Sequence, residues 1–207
     1  MFLRSASLVL VLATLAAQGN AQAPDAIQEK PRPSAKTQAI KGKPVTRGKF
    51  AAMLYEAFKT TLFQNDKSSE EAPFYDVLAT DPDFKVISIL RQHHILSGDA
   101  EGNFHAQNNP SRYEMAQTFD ALITELKLAN TQKLLDFTLD MPKDIPANVP
   151  ACEAVERMIK LEVALPFGDS YFRGRRATTD AEIADGIARV QELVKASAQE
   201  RAGEQKK

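Results

Sequence analysis

The sequence is poor in the residues from which covalent and metal-based sites are built. It contains a single cysteine, Cys152, three histidines and no tryptophan. One cysteine cannot form a disulfide within the chain, and it excludes zinc and iron–sulfur sites that need several cysteines. The net charge of −1 at pH 7 is also small, so the composition gives no reason to expect a nucleic-acid partner.

Long hydrophobic runs are absent as well. The longest one, residues 5–17, follows Arg4 and precedes several small residues. It is too short for a transmembrane segment, and the whole pattern is typical of a signal peptide. We therefore expect residues 1–21 to be a signal peptide that is cut after Ala21 or Ala23. The protein is then exported to the periplasm, the cell envelope or the cell surface of a bacterium.

Two segments lack the periodicity of a folded element. Residues 22–45 are basic, rich in proline, lysine, alanine and glutamine, and predicted to be a linker. Residues 196–207 are polar and predicted to be a frayed tail. The stretch between these two segments has the length of one domain.

Three segments of this domain have the pattern of helices that bury one face. They start at Thr46, Ser111 and Thr179, whose hydroxyl groups can cap the first helical turn. Glu114 and Glu182 complete a capping box in the second and third. The predicted buried positions are Phe50, Leu54, Ala57 and Thr61; Met115, Phe119, Leu122 and Leu126; and Ile183, Ile187, Val190 and Val194. The common phase of the three helices indicates an internal repeat.

The segments that precede the second and third helices also match one another. Each has an aspartate, a proline, a short apolar helix, a Gly-Asp pair and a phenylalanine. Before the second helix these are Asp76, Pro82, a helix at 86–90, Gly98-Asp99 and Phe104. Before the third helix they are Asp144, Pro150, a helix at 154–158, Gly168-Asp169 and Phe172. We divide the domain into a truncated first unit at 46–73, a second unit at 74–129 and a third unit at 130–195. For both aspartates, turn capping is favoured over ligand contact.

The second unit resembles an S-layer homology domain. It contains FYDV, HILSG, GNF and SRYE at the spacing of that family's pattern. The third unit contains DIP, PFGD, YF and TTDAE, and the first only VTRGKFAAML. The resemblance implies a mainly α fold, with helix-loop-helix repeats in a pseudo-threefold arrangement around a helical core. It also implies grooves that bind an anionic cell-wall glycan or a peptidoglycan-associated polymer, with no catalytic residue, metal or cofactor.

The resemblance also implies which residues contact the ligand. The family's anion-binding arginine corresponds to Arg47 and Arg112, whereas the third unit has Asp180. A guanidinium beside a helix N-terminus suits a carboxylate, because the helix dipole and the fixed N–H donors act together. The predicted ligand-binding residues are Thr46, Arg47, Gly98, Asp99, Ser111, Arg112, Gly168 and Asp169. Proline occupies the family's tryptophan position in both units, which removes an aromatic wall near the groove.

Other interpretations remain for these features. Surface ion pairs are the alternative for the two arginines. For the whole protein, the alternative is an adaptor that binds another envelope protein without glycan binding. The truncated first unit and the degenerate third unit favour that alternative. A second chain could also complete the first unit.

The remaining candidate sites fit their chemistry poorly. Residues 97–108 do not match a calcium loop, because Ser97 and Asn108 stand where that loop needs aspartate and glutamate. His93 and His94 are adjacent and point about 100° apart on a helix, so they cannot chelate one metal ion. His94 is expected to end the short helix. Cys152 is expected to be a small buried apolar residue.

Overall fold

The computed structural model describes residues 41–128 and 131–204, and this part of the chain is mainly α-helical, as predicted. Its helices are α1 (Arg47–Phe58), α2 (Phe84–Gln92), α3 (Arg112–Glu125), α4 (Thr131–Leu135), α5 (Cys152–Lys160) and α6 (Asp180–Glu204). No helix in these ranges has the length and apolar character needed to cross a membrane. The predicted signal peptide and residues 22–40 of the predicted linker lie outside the described residues.

The long helices α1, α3 and α6 begin at the predicted capping residues. Thr46 accepts a hydrogen bond from the N–H of Lys49 at 3.2 Å, and Ser111 forms the predicted capping box with Glu114. Thr179 and Glu182 form the same reciprocal pair, with distances of 3.3 and 3.0 Å. The predicted buried positions that are fully buried are Phe50, Leu54, Met115, Phe119, Leu122, Ile183 and Val190. Thr61 is exposed because α1 ends before it.

The short helices α2 and α5 pack against α1 and α3, respectively. Helix α2 starts at Phe84, two residues after Pro82. The Asp81 carboxylate accepts from the N–H of Leu78 at 2.7 Å and therefore stabilises the preceding turn. His94 follows α2 with φ of 57°, which confirms that the helix ends there.

An aspartate carboxylate that accepts two backbone hydrogen bonds holds the turn at the end of each loop. Burial alone would raise the pKa of Asp76, but backbone N–H donors lower it, and the carboxylate remains ionised. This confirms the predicted turn-capping role. The donors are Phe104 and His105 for Asp76, both at 2.6 Å, and Phe172 and Arg173 for Asp144, at 2.7 and 2.6 Å.

The units contact one another in a closed cycle. At the start of each long helix, a backbone N–H donates to a carbonyl group outside its own unit. The pairs are Arg47 to Asn108 at 2.8 Å, Arg112 to Arg176 at 3.0 Å and Asp180 to Lys43 at 2.9 Å. The loop of the second unit thus contacts the start of α1, and the loop of the third unit contacts the start of α3. The first described residues contact the start of α6. Within the described residues α6 has no short helix against it, unlike α1 and α3.

The core lies where the three long helices meet. The rings of Phe50 and Phe119 are 5.7 Å apart. Gly186 of α6 gives Phe119 its space, because a Cβ atom at Gly186 would lie 2.7 Å from the ring. Close packing of large side chains here contributes to the apolar burial that stabilises the fold.

Helix α6 is longer than the sequence indicates. It continues to Glu204, through much of the segment predicted to be a frayed tail. Ser197 is buried, and the Arg201 guanidinium donates to the carbonyl oxygen of Lys127 at 2.6 Å. These contacts with the chain after α3 keep a polar sequence helical.

His93, at the end of α2, lies between two carboxylates. Its Nδ1 is 2.9 Å from Glu125 and its Nε2 is 2.8 Å from Asp66. A neutral imidazole has only one N–H, so the protonated ring alone can donate to both. Burial lowers the pKa of His93, but the hydrogen bonds and negative charges of Glu125 and Asp66 outweigh burial and raise it.

Protonated His93 should therefore stabilise the fold. The unfolded pKa is about 6.5, so the stabilisation is fully present below that pH and is lost as the pH rises through the raised folded pKa. Replacing His93 by glutamine should lower the free energy of unfolding by about 1 kcal/mol near pH 5.5, and by less near pH 9. Urea unfolding of both proteins measures this difference, and an equal difference at both pH values would contradict the prediction.

Candidate ligand-binding groove

Arg47, at the start of α1, contributes its guanidinium to a surface groove. It donates to the carbonyl oxygen of Ser97 at 2.8 Å, pairs with Glu114, and lies 4.6 Å from the centre of the Phe104 ring. The side chain of Arg47 is 15 % exposed and that of Glu114 is 42 % exposed. The Arg47 guanidinium is therefore largely buried, and the groove reaches it beside the more exposed Glu114 carboxylate.

The groove lies between the start of α1, one face of α3 and the turn at 95–99, and we name it groove 1. It encloses about 350 Å³. Phe50 and Leu96 supply apolar surface, and Asp99, Gln117 and Thr118 supply hydrogen-bonding groups. A charged group, several polar groups and an apolar floor together suit a polar ligand with an anionic substituent.

Asp99 and Gly98 lie on the rim of groove 1, as the resemblance implies. The Asp99 carboxylate accepts from the N–H of Asn103 at 2.8 Å and is 2.6 Å from Nε2 of His105. Both contacts lower the pKa of Asp99, and the hydrogen bond from the backbone N–H of Asn103 has the larger effect. Gly98 is required sterically, because a Cβ there would lie 2.8 Å from the Asn103 carbonyl oxygen and 2.9 Å from the Phe74 ring.

Arg112 occupies the corresponding place at the start of α3, but it is fully buried. Its guanidinium donates to the carbonyl oxygens of Leu165, at 2.7 Å, and Phe172, and its Nε is 3.0 Å from Glu182. Burial lowers the pKa of Arg112 to about 10, against the opposing charge of Glu182. The side chain has no surface for a ligand, so the expectation that Arg112 contacts one does not fit this structure.

The turn that faces each arginine explains the difference between them. The Asp99 N–H donates to the Asn103 carbonyl at 2.9 Å, and the Phe167 N–H donates to that of Tyr171 at 2.8 Å. Phe167 therefore occupies, in the turn of the third unit, the backbone position that Asp99 occupies in the turn of the second unit. Its ring centre lies 4.4 Å from the Arg112 guanidinium. A phenylalanine therefore closes, in the third unit, the site that is open in groove 1.

The sequence match between Gly98-Asp99 and Gly168-Asp169 is wrong in register. Asp169 stands two residues after Phe167, and its carboxylate pairs with Arg173 at 2.5 Å. Gly168 is exposed, with no other group close to the position of its missing Cβ. Neither residue contacts Arg112. The correspondence could not be found from sequence, because loops lack a periodicity by which two of them can be aligned.

Thr46 and Ser111, the other predicted ligand residues, use their hydroxyl groups in helix caps. Thr46 Oγ1 accepts from Lys49, and Ser111 Oγ donates to Glu114 at 2.8 Å. They position the neighbouring arginines rather than present free hydroxyl groups. In the third long helix, the Asp180 carboxylate accepts from the backbone N–H of Lys43 at 2.9 Å.

Sequence reasoning missed three residues of groove 1 on α3. Glu114, Gln117 and Thr118 recur at helical spacing and all line the groove. The missed signal is this polar stripe, which lies beside the apolar stripe of the same helix. Over the described ranges, histidine, cysteine and acidic side chains form no cluster of three or more that could hold a metal ion.

One known family matches part of the chain. Residues 73–116 match the model of the S-layer homology domain, a segment that contains α2, the rim of groove 1 and the start of α3. No curated protein matches the chain. The second unit is therefore related to the S-layer homology domain, a binding domain of cell-surface and envelope proteins that attaches to cell-wall polymers.

Proposed function

We propose that this chain is an exported cell-envelope protein that binds a cell-wall polysaccharide or a peptidoglycan-linked polymer non-covalently through groove 1. The observation that carries the proposal is the Arg47 guanidinium, which lines a groove with polar walls. The match at residues 73–116 supports the class of ligand. The proposed role is binding, without catalysis.

Arg47 is suited to an anionic substituent of the polymer. A guanidinium can donate two parallel hydrogen bonds to a carboxylate, and the N-terminus of α1 adds positive potential. Exchanging Glu114 for a ligand carboxylate costs little, because a partly exposed ion pair contributes about 0–1 kcal/mol. Asp99, Gln117 and Thr118 are suited to sugar hydroxyl groups.

The proposal assigns ligand binding to one groove. The third unit has Phe167 over Arg112, and α6 has Asp180 in the place of the arginine. We therefore expect one glycan-binding site for each chain.

The closure of the third unit by Phe167 also favours the second candidate, an adaptor that binds an envelope protein. Groove 1 would then be a remnant, and the affinity for cell-wall material would be lost. The two candidates differ in one outcome, which is whether the purified protein binds cell walls in the absence of other proteins.

Co-sedimentation with purified, delipidated sacculi that retain their attached polymers tests the proposal. We expect the wild type to sediment, and added anionic cell-wall polymer to release it. Arg47→Gln should weaken binding by about tenfold or more, since a charge-assisted contact contributes about 1.5–3 kcal/mol. Arg175→Gln removes the same charge from an exposed position and should bind as the wild type does.

Two results would contradict the proposal. A wild-type protein that stays in the supernatant would favour the adaptor. Equal binding by folded Arg47→Gln and wild type would show that groove 1 is not the site.

A further inference from the structure

Tyr75 is unusually exposed for an aromatic residue. Its side chain is 82 % exposed, the highest value among the large apolar residues of the described chain. Its backbone is nevertheless held in place, because its N–H donates to the carbonyl oxygen of Gly102 at 3.1 Å. Gly102 has φ of +82°, and a Cβ atom there would lie 2.8 Å from the Tyr75 ring. The absence of a side chain at Gly102 leaves room for the Tyr75 ring, most of which is exposed to solvent.

A shallow hollow beside Tyr75 shares part of its lining with groove 1. It encloses about 370 Å³, and its lining includes Tyr75, Arg91 and Gly102. Residues 97–99 line both this hollow and groove 1. We name it the tyrosine hollow. Both depressions border residues 97–99, so a chain-like ligand that occupied both would cross this rim.

The tyrosine hollow has the chemistry of a sugar-binding surface. The face of an aromatic ring is negative, and the C–H groups on one face of a pyranose ring are slightly positive, so the two stack. Tyrosine also provides this contact area at a low cost in conformational entropy. Arg91, 5.1 Å from the centre of the Phe74 ring, and Asp99 add a donor and an acceptor for hydroxyl groups.

The third unit provides an internal comparison. The N–H of Lys143 donates to the carbonyl oxygen of Ser170 at 3.4 Å, as that of Tyr75 does to Gly102. Lys143 therefore holds the position of Tyr75, and it is also exposed. In this protein an aromatic residue accompanies the open groove, and a lysine accompanies the site that Phe167 closes.

We propose that the tyrosine hollow is a second sugar subsite. It stacks the sugar residue that is next to the one held at Arg47, so the glycan chain lies across the rim at residues 97–99. This inference rests on the proposed function of groove 1.

The test uses two variants of the full chain, Tyr75→Ala and Tyr75→Lys. Tyr75→Lys introduces the residue type that the third unit has at the equivalent position, Lys143. Neither substitution removes a buried side chain. The probes are glycan fragments released from sacculi and separated by length, from single sugars to short oligosaccharides. Leu78→Ala is the matched control, because Leu78 is 60 % exposed and lies close to Tyr75 in the chain.

We expect wild-type affinity to rise from the single sugar to the oligosaccharides. Both Tyr75 variants should bind oligosaccharides about tenfold more weakly, the effect of one aromatic contact, and bind the single sugar as the wild type does. Leu78→Ala should bind every fragment as the wild type does.

The outcomes separate the subsite from groove 1. If wild type binds oligosaccharides and Arg47→Gln does not, while both Tyr75 variants match wild type at every length, the subsite is overturned and groove 1 stands. If the Tyr75 variants lose single-sugar binding equally, Tyr75 belongs to groove 1 and the separate subsite is also overturned. If wild type binds no fragment, both proposals fall.

Discussion

Replacing Arg112 by methionine should lower the free energy of unfolding by about 3–5 kcal/mol, because it leaves a buried carboxylate without its partner. Methionine keeps the apolar stem and removes the charge. Glu182 is 1 % exposed and would keep only Arg176 as a charged partner. The carbonyl oxygens of Leu165 and Phe172 would also lose their donor.

Arg47→Met is the matched control for this prediction. Arg47 is 15 % exposed and pairs with the more exposed Glu114, so its loss should lower the free energy of unfolding by about 1–2 kcal/mol, less than the loss of Arg112. Urea unfolding of the three proteins at one pH measures both effects. Equal destabilisation by the two substitutions would contradict the distinct positions that we assign to the arginines.

Replacing Glu182 by glutamine should have a similar effect, a loss of about 3–5 kcal/mol, because it leaves the buried Arg112 charge uncompensated. The Glu182 carboxylate also contacts Arg176 through both oxygens at 2.5 Å. It accepts from the N–H and hydroxyl of Thr179, each at 3.0 Å. Glutamine keeps the shape of the side chain, so the measured loss reports charge and hydrogen bonding rather than packing.

Glu114→Gln provides the control on the same capping box. The Glu114 side chain is 42 % exposed, and its loss should cost about 1 kcal/mol or less. The double variant Arg112→Met with Glu182→Gln should be more stable than the sum of the single effects predicts, because it removes both buried charges together. Additive losses in thermal and urea unfolding would show that the two residues are not coupled.

The local parts of the fold could be predicted from the sequence. Hydroxyl caps, capping boxes and apolar spacing depend on residues within a few positions of each other. They place the starts of α1, α3 and α6 correctly. The end of α6 could not be predicted, because its polar residues are held by a contact with Lys127.

The parts of the site that depend on distant residues could not be predicted. Arg47 and Arg112 follow the same capping pattern, yet one lines a groove and the other is buried. The difference is the residue on the facing turn, Asp99 or Phe167, and the loop sequences do not reveal which positions correspond. Matching the Gly-Asp pairs by identity gave a register that the backbone hydrogen bonds contradict.

The central claim is that Arg47 binds the cell-wall ligand while its counterpart Arg112 holds the core together. The measurement that tests it most directly is the affinity of folded Arg47→Gln for sacculi that retain their polymers, compared with the wild type. We expect the affinity to fall by about tenfold or more, while the free energy of unfolding falls by only about 1–2 kcal/mol. A folded Arg47→Gln protein that binds these sacculi as tightly as the wild type would contradict it.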